Sequence, residues 1–129
     1  IDPAFEHADE FAIAARGLTA AWRKWPTGIF ALWHPVKERK IVETFFRALE
    51  AAGIEKALRA ELQVDETSAR GLSACGLVIV NPPFRLDGEL AILLSELAKI
   101  LARGASRWRC EPLAPRAFDV APGRPERKL

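Results

Sequence analysis

Apolar residues recur three to four apart along residues 9–25. Phe11, Ala14/Ala15, Leu18, Trp22 and Trp25 make one face of a helix, with Asp9 at its N-cap. Trp22 and Trp25, at helical spacing, are read as core. Pro26 ends that helix in a Trp25-Pro26-Thr27-Gly28 turn. Residues 28–33 are continuously apolar, the pattern of a strand covered on both faces. His34-Pro35 closes the run, and Pro35 suits the first turn of a second helix. Ile41/Val42, Phe45, Leu49 and Ala52 form the stripe of that helix, Glu43 and Arg47 are ordered for an i,i+4 pair, and Gly53 follows as its C′ residue.

Residues 57–64 alternate strictly. Leu58, Ala60, Leu62 and Val64 face one way and Arg59, Glu61 and Gln63 the other, which predicts a half-exposed edge strand. A polar loop over 65–73 leads to a buried strand over 74–80, broken by Asn81-Pro82-Pro83-Phe84. A third helix is predicted from Asp87, its N-cap, to Arg103, with a stripe of Leu90, Leu93/Leu94, Leu97 and Ile100/Leu101. Residues 106–112 add a short edge strand. Strands alternating with helices, then closing with two successive strands, describe the second half of a doubly wound α/β domain.

The first six residues then acquire a meaning. Ile1-Asp2-Pro3-Ala4-Phe5-Glu6 reads as the end of a strand running into a tight turn, which leaves one carboxylate and one aromatic ring at a sheet edge. Ligands of open α/β sheets sit outside such carboxyl ends. A strand already ending at the first residue suggests a sequence that begins in the middle of a fold.

The totals narrow the picture. The 129 residues allow one domain with a core, half of them are hydrophobic and 28% are charged, which is ordinary for a globular chain. No apolar run reaches the roughly 18 residues of a membrane span. The charged Asp2, Glu6, Asp9 and Glu10 do not suit a signal peptide. Cys75 and Cys110 make no disulfide framework and have no zinc spacing, so they are expected to be reduced thiols of a cytoplasmic protein, and no metal site is expected. The net charge of +2 is uneven, because residues 103–129 hold seven basic and three acidic side chains. Residues 113–129 are therefore read as a basic, proline-rich tail that either touches phosphates or is simply solvated.

Three blocks carry a resemblance: Asp2-Pro3-Ala4-Phe5-Glu6, then residues 25–36 (WPTGIFALWHPV), then residues 71–84 (GLSACGLVIVNPPF). In that order they resemble the C-terminal half of the bacterial 23S ribosomal RNA adenine-N6 methyltransferases of the RlmJ family, over residues 1–112. The resemblance implies half of a class I, Rossmann-like domain, a mostly parallel sheet with an antiparallel closing strand. It implies S-adenosylmethionine as cofactor, with its glycines in an N-terminal half not present here. It implies adenine in 23S ribosomal RNA as target, and a cytoplasmic enzyme, monomeric when full length, with no membrane partner.

The chemistry fits the opening motif. An exocyclic adenine amine is a poor nucleophile until an acceptor on each N–H turns its lone pair outward. The resemblance assigns Asp2 one hydrogen as the catalytic acceptor and the Pro3 carbonyl the other, with Phe5 stacking on an extruded base. Ala4 stands where the family has a second proline. Glu6 orients the turn or is solvated, and His34, at the end of the 28–33 strand, lines the pocket or caps a helix. His7 is read as exposed. Asn81-Pro82-Pro83-Phe84 matches the amine-methyltransferase signature more closely, but follows the wrong strand and is read as a turn. The competing readings are a non-catalytic RNA-binding or interaction module, and an amine methyltransferase acting on DNA or protein.

Overall fold

The computed structural model describes residues 1–7, 9–67 and 71–113. The basic tail predicted over 113–129 lies, from residue 114 on, outside them.

Three helices and four strands alternate. Helix α1, Glu10–Lys24, buries Ala14, Ala15 and Leu18 on the predicted face. Asp9 occupies the N-cap position without a side-chain bond. The Glu10 carboxylate instead accepts the His7 N–H at 2.9 Å, satisfying one orphan donor before the helix. Trp25 is 61% exposed and so is not core. It caps the end of α1, edge-on to Phe30 at 6.0 Å. Helix α2, Arg39–Ala51, buries Val42, Phe45, Phe46 and Leu49. Gly53 takes a φ of +97° just after it, a conformation that glycine adopts without a Cβ penalty.

Strands β1 (Phe30–Pro35), β2 (Ala57–Gln63), β3 (Ala74–Val80) and β4 (Arg107–Pro112) form one sheet in the order β1-β3-β2-β4. All three pairings are antiparallel. The described strands therefore form an α/β fold around a small antiparallel sheet rather than the mostly parallel one expected. The apolar run of β1 was read as the mark of a parallel neighbour covered on both faces. Its partner is β3, and Ala31 on its second face is exposed. On the other edge of β1, the Ile1 amine donates to the Ala31 carbonyl at 2.8 Å and the Trp33 N–H donates to the Ile1 carbonyl at 3.0 Å. These two bonds bracket Leu32, which is the evenly slanted pattern of a parallel pair.

One core fills the space between α1, α2 and the adjoining sheet face. Leu18, Leu32, Val42, Phe45, Phe46, Leu49, Ile54, Val78 and Val80 meet there, with Phe5, Phe11 and Trp22 at its margin. Strand β2 departs from the half-exposed edge predicted. It lies inside the sheet between β3 and β4, and both Arg59 and Glu61 are buried. Arg59 Nε donates to Glu61 at 2.6 Å, and its guanidinium also pairs with Glu43 of α2 and lies 4.1 Å over the Phe46 ring. Arg39 donates to the second Glu61 oxygen at 2.8 Å. Glu43 thus serves Arg59, not Arg47, and that bond holds its carboxyl below the usual range. Burial alone would lower the Arg59 pKa, but its bonds to Glu43 and Glu61 raise it overall.

Helix α3, Leu86–Ile100, covers the opposite face at β2 and β4. It starts one residue before Asp87, after Arg85 in a left-handed turn, so Asp87 sits in the first turn and not at the cap. Its sheet-facing residues are Ala91, Leu94 and Ala98, while Leu93, Ile100 and Leu101 of the predicted stripe are exposed.

Candidate active site

Both β1 and β2 run against β3, so they run the same way. Pro35 pairs with Cys75 and Gln63 with Ala74, which puts the carboxyl ends of β1 and β2 at one edge of the sheet. The two bonds of Ile1 to β1 bring the following residues, Asp2 to Phe5, to that same edge. The opening motif and the strand after it are thereby combined in the place where α/β sheets hold ligands.

Within the turn, Asp2 and Glu6 are exposed and Pro3 and Phe5 are half-buried. Phe5 has a φ of 53°, a left-handed conformation rare for a bulky residue and most often retained at functional sites. Its ring is held by Phe11, centroids 4.7 Å apart, and by Trp33 at 6.1 Å. Two cavities meet at this ring. The larger, about 410 Å³, is lined by Ala4, Phe5, Trp33, Pro35, Val36, Lys37 and the 71–73 loop. The smaller, about 210 Å³, shares Phe5, Pro35 and Lys37 and adds Glu6, His7, Glu38 and Ile41.

His34 is neither at the pocket nor a helix cap. It is fully buried, because the pleat of β1 sends Leu32 and His34 toward the helices and Trp33 to the other side. Its ring stands 5.6–6.1 Å from those of Phe11, Phe45 and Phe46. Nδ1 donates to the Pro35 carbonyl at 3.1 Å, and Nε2 has no partner among the described residues. Burial lowers its pKa, against the smaller opposing effect of the Pro35 bond.

Asn81 belongs to the far end of the sheet, where Val80 pairs with Phe30 and Ala57. Its amide donates to the carbonyls of Pro26 and Gly28 at 2.7 and 2.8 Å, tying the end of β3 to the turn that opens β1. That is the work of a turn former. Lys37, Trp33 and the 71–73 loop were not singled out from the sequence as pocket residues. The available signal was topological, since Trp33 is near the end of β1, Lys37 follows it and residues 71–73 lead into β3, all at the same edge as Asp2.

Among the described residues no group of three His, Cys, Asp or Glu side chains is placed to hold a metal. No described helix is long and apolar enough to cross a membrane. Cys75 and Cys110 form no disulfide among the described residues, and burial pushes the Cys75 thiol up. At the carboxyl edge, the turn after β1 (Val36, Lys37, Glu38) carries no glycine, and the loop after β2, which carries Gly71, leads into a strand and opens no helix. A nucleotide cofactor is seated on a glycine-rich turn between a strand and a helix N-terminus, so these turns do not fit S-adenosylmethionine.

The family model described as "Ribosomal RNA large subunit methyltransferase D, RlmJ" matches residues 1–113. The chain is 34% identical over 117 residues to the ribosomal RNA large subunit methyltransferase J of Haemophilus influenzae, covering 89% of this chain and 42% of that protein. It is 34% identical over 106 residues to the protein of the same name from Escherichia coli, covering 81% and 38%. A crystal structure from Legionella pneumophila superposes with a TM-score of 0.78 at 29% identity, over 87% of this chain and 42% of that one. The chain thus spans about two-fifths of the length of the curated relatives it matches.

Proposed function

The chain belongs to the RlmJ family of ribosomal RNA large subunit methyltransferases, and from that premise we propose that it supplies the amine-holding half of an adenine-N6 methyltransferase acting on 23S ribosomal RNA. The observation that carries this reading is the turn itself. Asp2 is exposed at the carboxyl edge of the sheet, followed at three residues by an aromatic ring fixed in a left-handed backbone.

In this reading the Asp2 carboxylate and the Pro3 carbonyl each accept one N–H of the target amine. The two acceptors orient the nitrogen lone pair, and orientation supplies most of the catalysis. Phe5 stacks on the extruded base. Its ring is preorganised by Phe11 and Trp33, so little rotamer freedom is lost on binding. Asp2 works as a hydrogen-bond acceptor. S-adenosylmethionine is the methyl donor the family name suggests. Since the described turns do not fit it, the reading assigns its seat to the part of the family fold that this chain does not span. The catalytic unit, residues 1–112, is cytoplasmic and acts as a monomer when that remainder is present.

The test is a graft. This chain replaces the segment it matches in the Haemophilus influenzae relative. The hybrid is then given S-adenosylmethionine with a labelled methyl group and unmodified large-subunit ribosomal RNA. Label in N6-methyladenosine is the expected result. A folded hybrid that transfers no label to RNA overturns the proposal.

A further inference from the structure

We propose that the cavity of about 410 Å³ beside the Asp2–Phe5 turn is a subsite for the nucleotide next to the target base, with Lys37 on its phosphate. This rests on the RNA methyltransferase reading and adds to it the means by which the strand is held.

Position is the first argument. The cavity shares Phe5 with the turn and lies at the carboxyl edge, so a base stacked on Phe5 has its strand neighbour within reach of the same walls. Chemistry is the second. Phe5 and Trp33 supply aromatic surface, which takes any base face and is worth roughly 1–3 kcal/mol per stacked base in single-strand binders. Leu72, 43% exposed, adds an apolar contact from the facing loop. The volume falls within the roughly 300–1,000 Å³ of sites that hold small organic groups.

Charge is the third argument. Among the described residues, Lys37 is the one charged residue lining this cavity, and it forms no ion pair. It is exposed and lies two residues past the end of β1, so its backbone is anchored close to the strand while the ammonium stays available. The neighbouring smaller cavity contains the carboxylates of Glu6 and Glu38 and disfavours an anion. The two cavities share Lys37 and Phe5, so a phosphate on Lys37 is directed to the larger one. Among the described residues, an aromatic wall and one cation without an ion pair, with no carboxylate lining the same cavity, match a nucleotide unit. An acidic peptide would need several cations and no stacking surface.

The test measures binding of a short single-stranded, adenine-containing RNA to this chain by fluorescence anisotropy across a salt series. Lys37→Gln should weaken binding roughly tenfold, the effect of losing one hydrogen bond from a charged group. It should also reduce the slope of log K against log salt by about 0.7, one phosphate contact on a single strand. Lys37→Arg should keep the slope. Lys24→Glu, on the exposed last turn of α1, should change neither by a comparable amount. Any of three results overturns the subsite: no saturable binding by the parent chain, equal losses in the Lys24 and Lys37 variants, or competition by polyglutamate as strong as by RNA. An unchanged Lys37→Gln slope beside an active graft removes the subsite alone. A lost Lys37→Gln slope beside an inactive graft removes the methyltransferase reading alone.

Discussion

The imidazole of His34 rests on the backbone of Gly76: a Cβ at residue 76 would lie 2.7 Å from both Cε1 and Nε2 of the ring, and 3.0 Å from the Ala60 carbonyl. The two residues are paired across β1 and β3. Glycine is needed at 76 because the ring fills the space a side chain would use, and the backbone below cannot retreat.

Gly76→Ala should therefore destabilise the fold by about 1–3 kcal/mol, the usual cost of overpacking a filled interior. Urea unfolding of parent and variant checks it. An unchanged midpoint would mean that the ring moves freely and that the site is not closely packed.

His34 also makes stability depend on pH. Its pKa in the folded protein is below the ordinary 6.5, because burial disfavours the imidazolium. The unfolded chain then binds more protons than the folded one as pH falls past 6.5, so stability is full above that value and declines below it. The slope should not exceed about 1.4 kcal/mol per pH unit for this one group. Stability curves at pH 7.5 to 5 should show the decline in the parent and a shallower one in His34→Phe. Glu43, held low by Arg59, adds a second loss only below its ordinary 4.5, in a separate window. Equal slopes in parent and variant between pH 7.5 and 5 would exclude His34 as the source.

Removing one member of the buried charge network should cost more than removing two. Glu61→Ala leaves Arg59 buried with only Glu43, and should cost about 3 kcal/mol. Arg59→Met with Glu61→Leu, which removes the pair and keeps its volume, should recover most of that in thermal unfolding. A double variant as unstable as the single one would show that the pair itself is indispensable.

How far the sequence anticipated this fold differs from element to element. The periodicity of α1 and α2 is carried by large residues against polar ones, and Leu18, Val42, Phe45 and Leu49 are buried as their spacing implies. In α3 every residue from Leu90 to Leu94 is apolar, so the pattern contains a period but no preferred face. Ala91, Leu94 and Ala98 approach the sheet, while Leu93 and Leu101 are exposed. In β2 the alternation was legible and its meaning was not. Arg59 and Glu61 are two apart on a strand and so share a face, where they neutralise each other and can be buried together. The direction of β1's neighbour is set by residues 74–80, far along the chain, and no local pattern reports it. At the site, the Asp2–Phe5 turn stood out because Asp-Pro-x-Phe is close to the amine-methyltransferase signature and the two longer blocks, residues 25–36 and 71–84, follow it in the family's order. Lys37 and Leu72 did not, since an exposed lysine and a loop leucine acquire a role only once β1 and β3 are paired.

Asn81→Ala should lower stability by about 2 kcal/mol, from two lost hydrogen bonds and a φ of 53° that alanine adopts poorly. Methyl transfer by the grafted enzyme, measured below its melting temperature, should be nearly unchanged. Turnover that collapses while the melting temperature holds would move Asn81 into the active site.

The most direct measurement is methyl transfer by the graft with Asp2→Ala, read as N6-methyladenosine in digested ribosomal RNA by mass spectrometry, beside a thermal melt of each protein. Asp2 is exposed and no bond of its side chain holds the fold among the described residues, so the melt should not move. The rate should fall by at least about a hundredfold, because the amine loses one of its two orienting acceptors. A rate within tenfold of the parent, with the fold intact, would contradict the assignment of this turn as the amine-holding site.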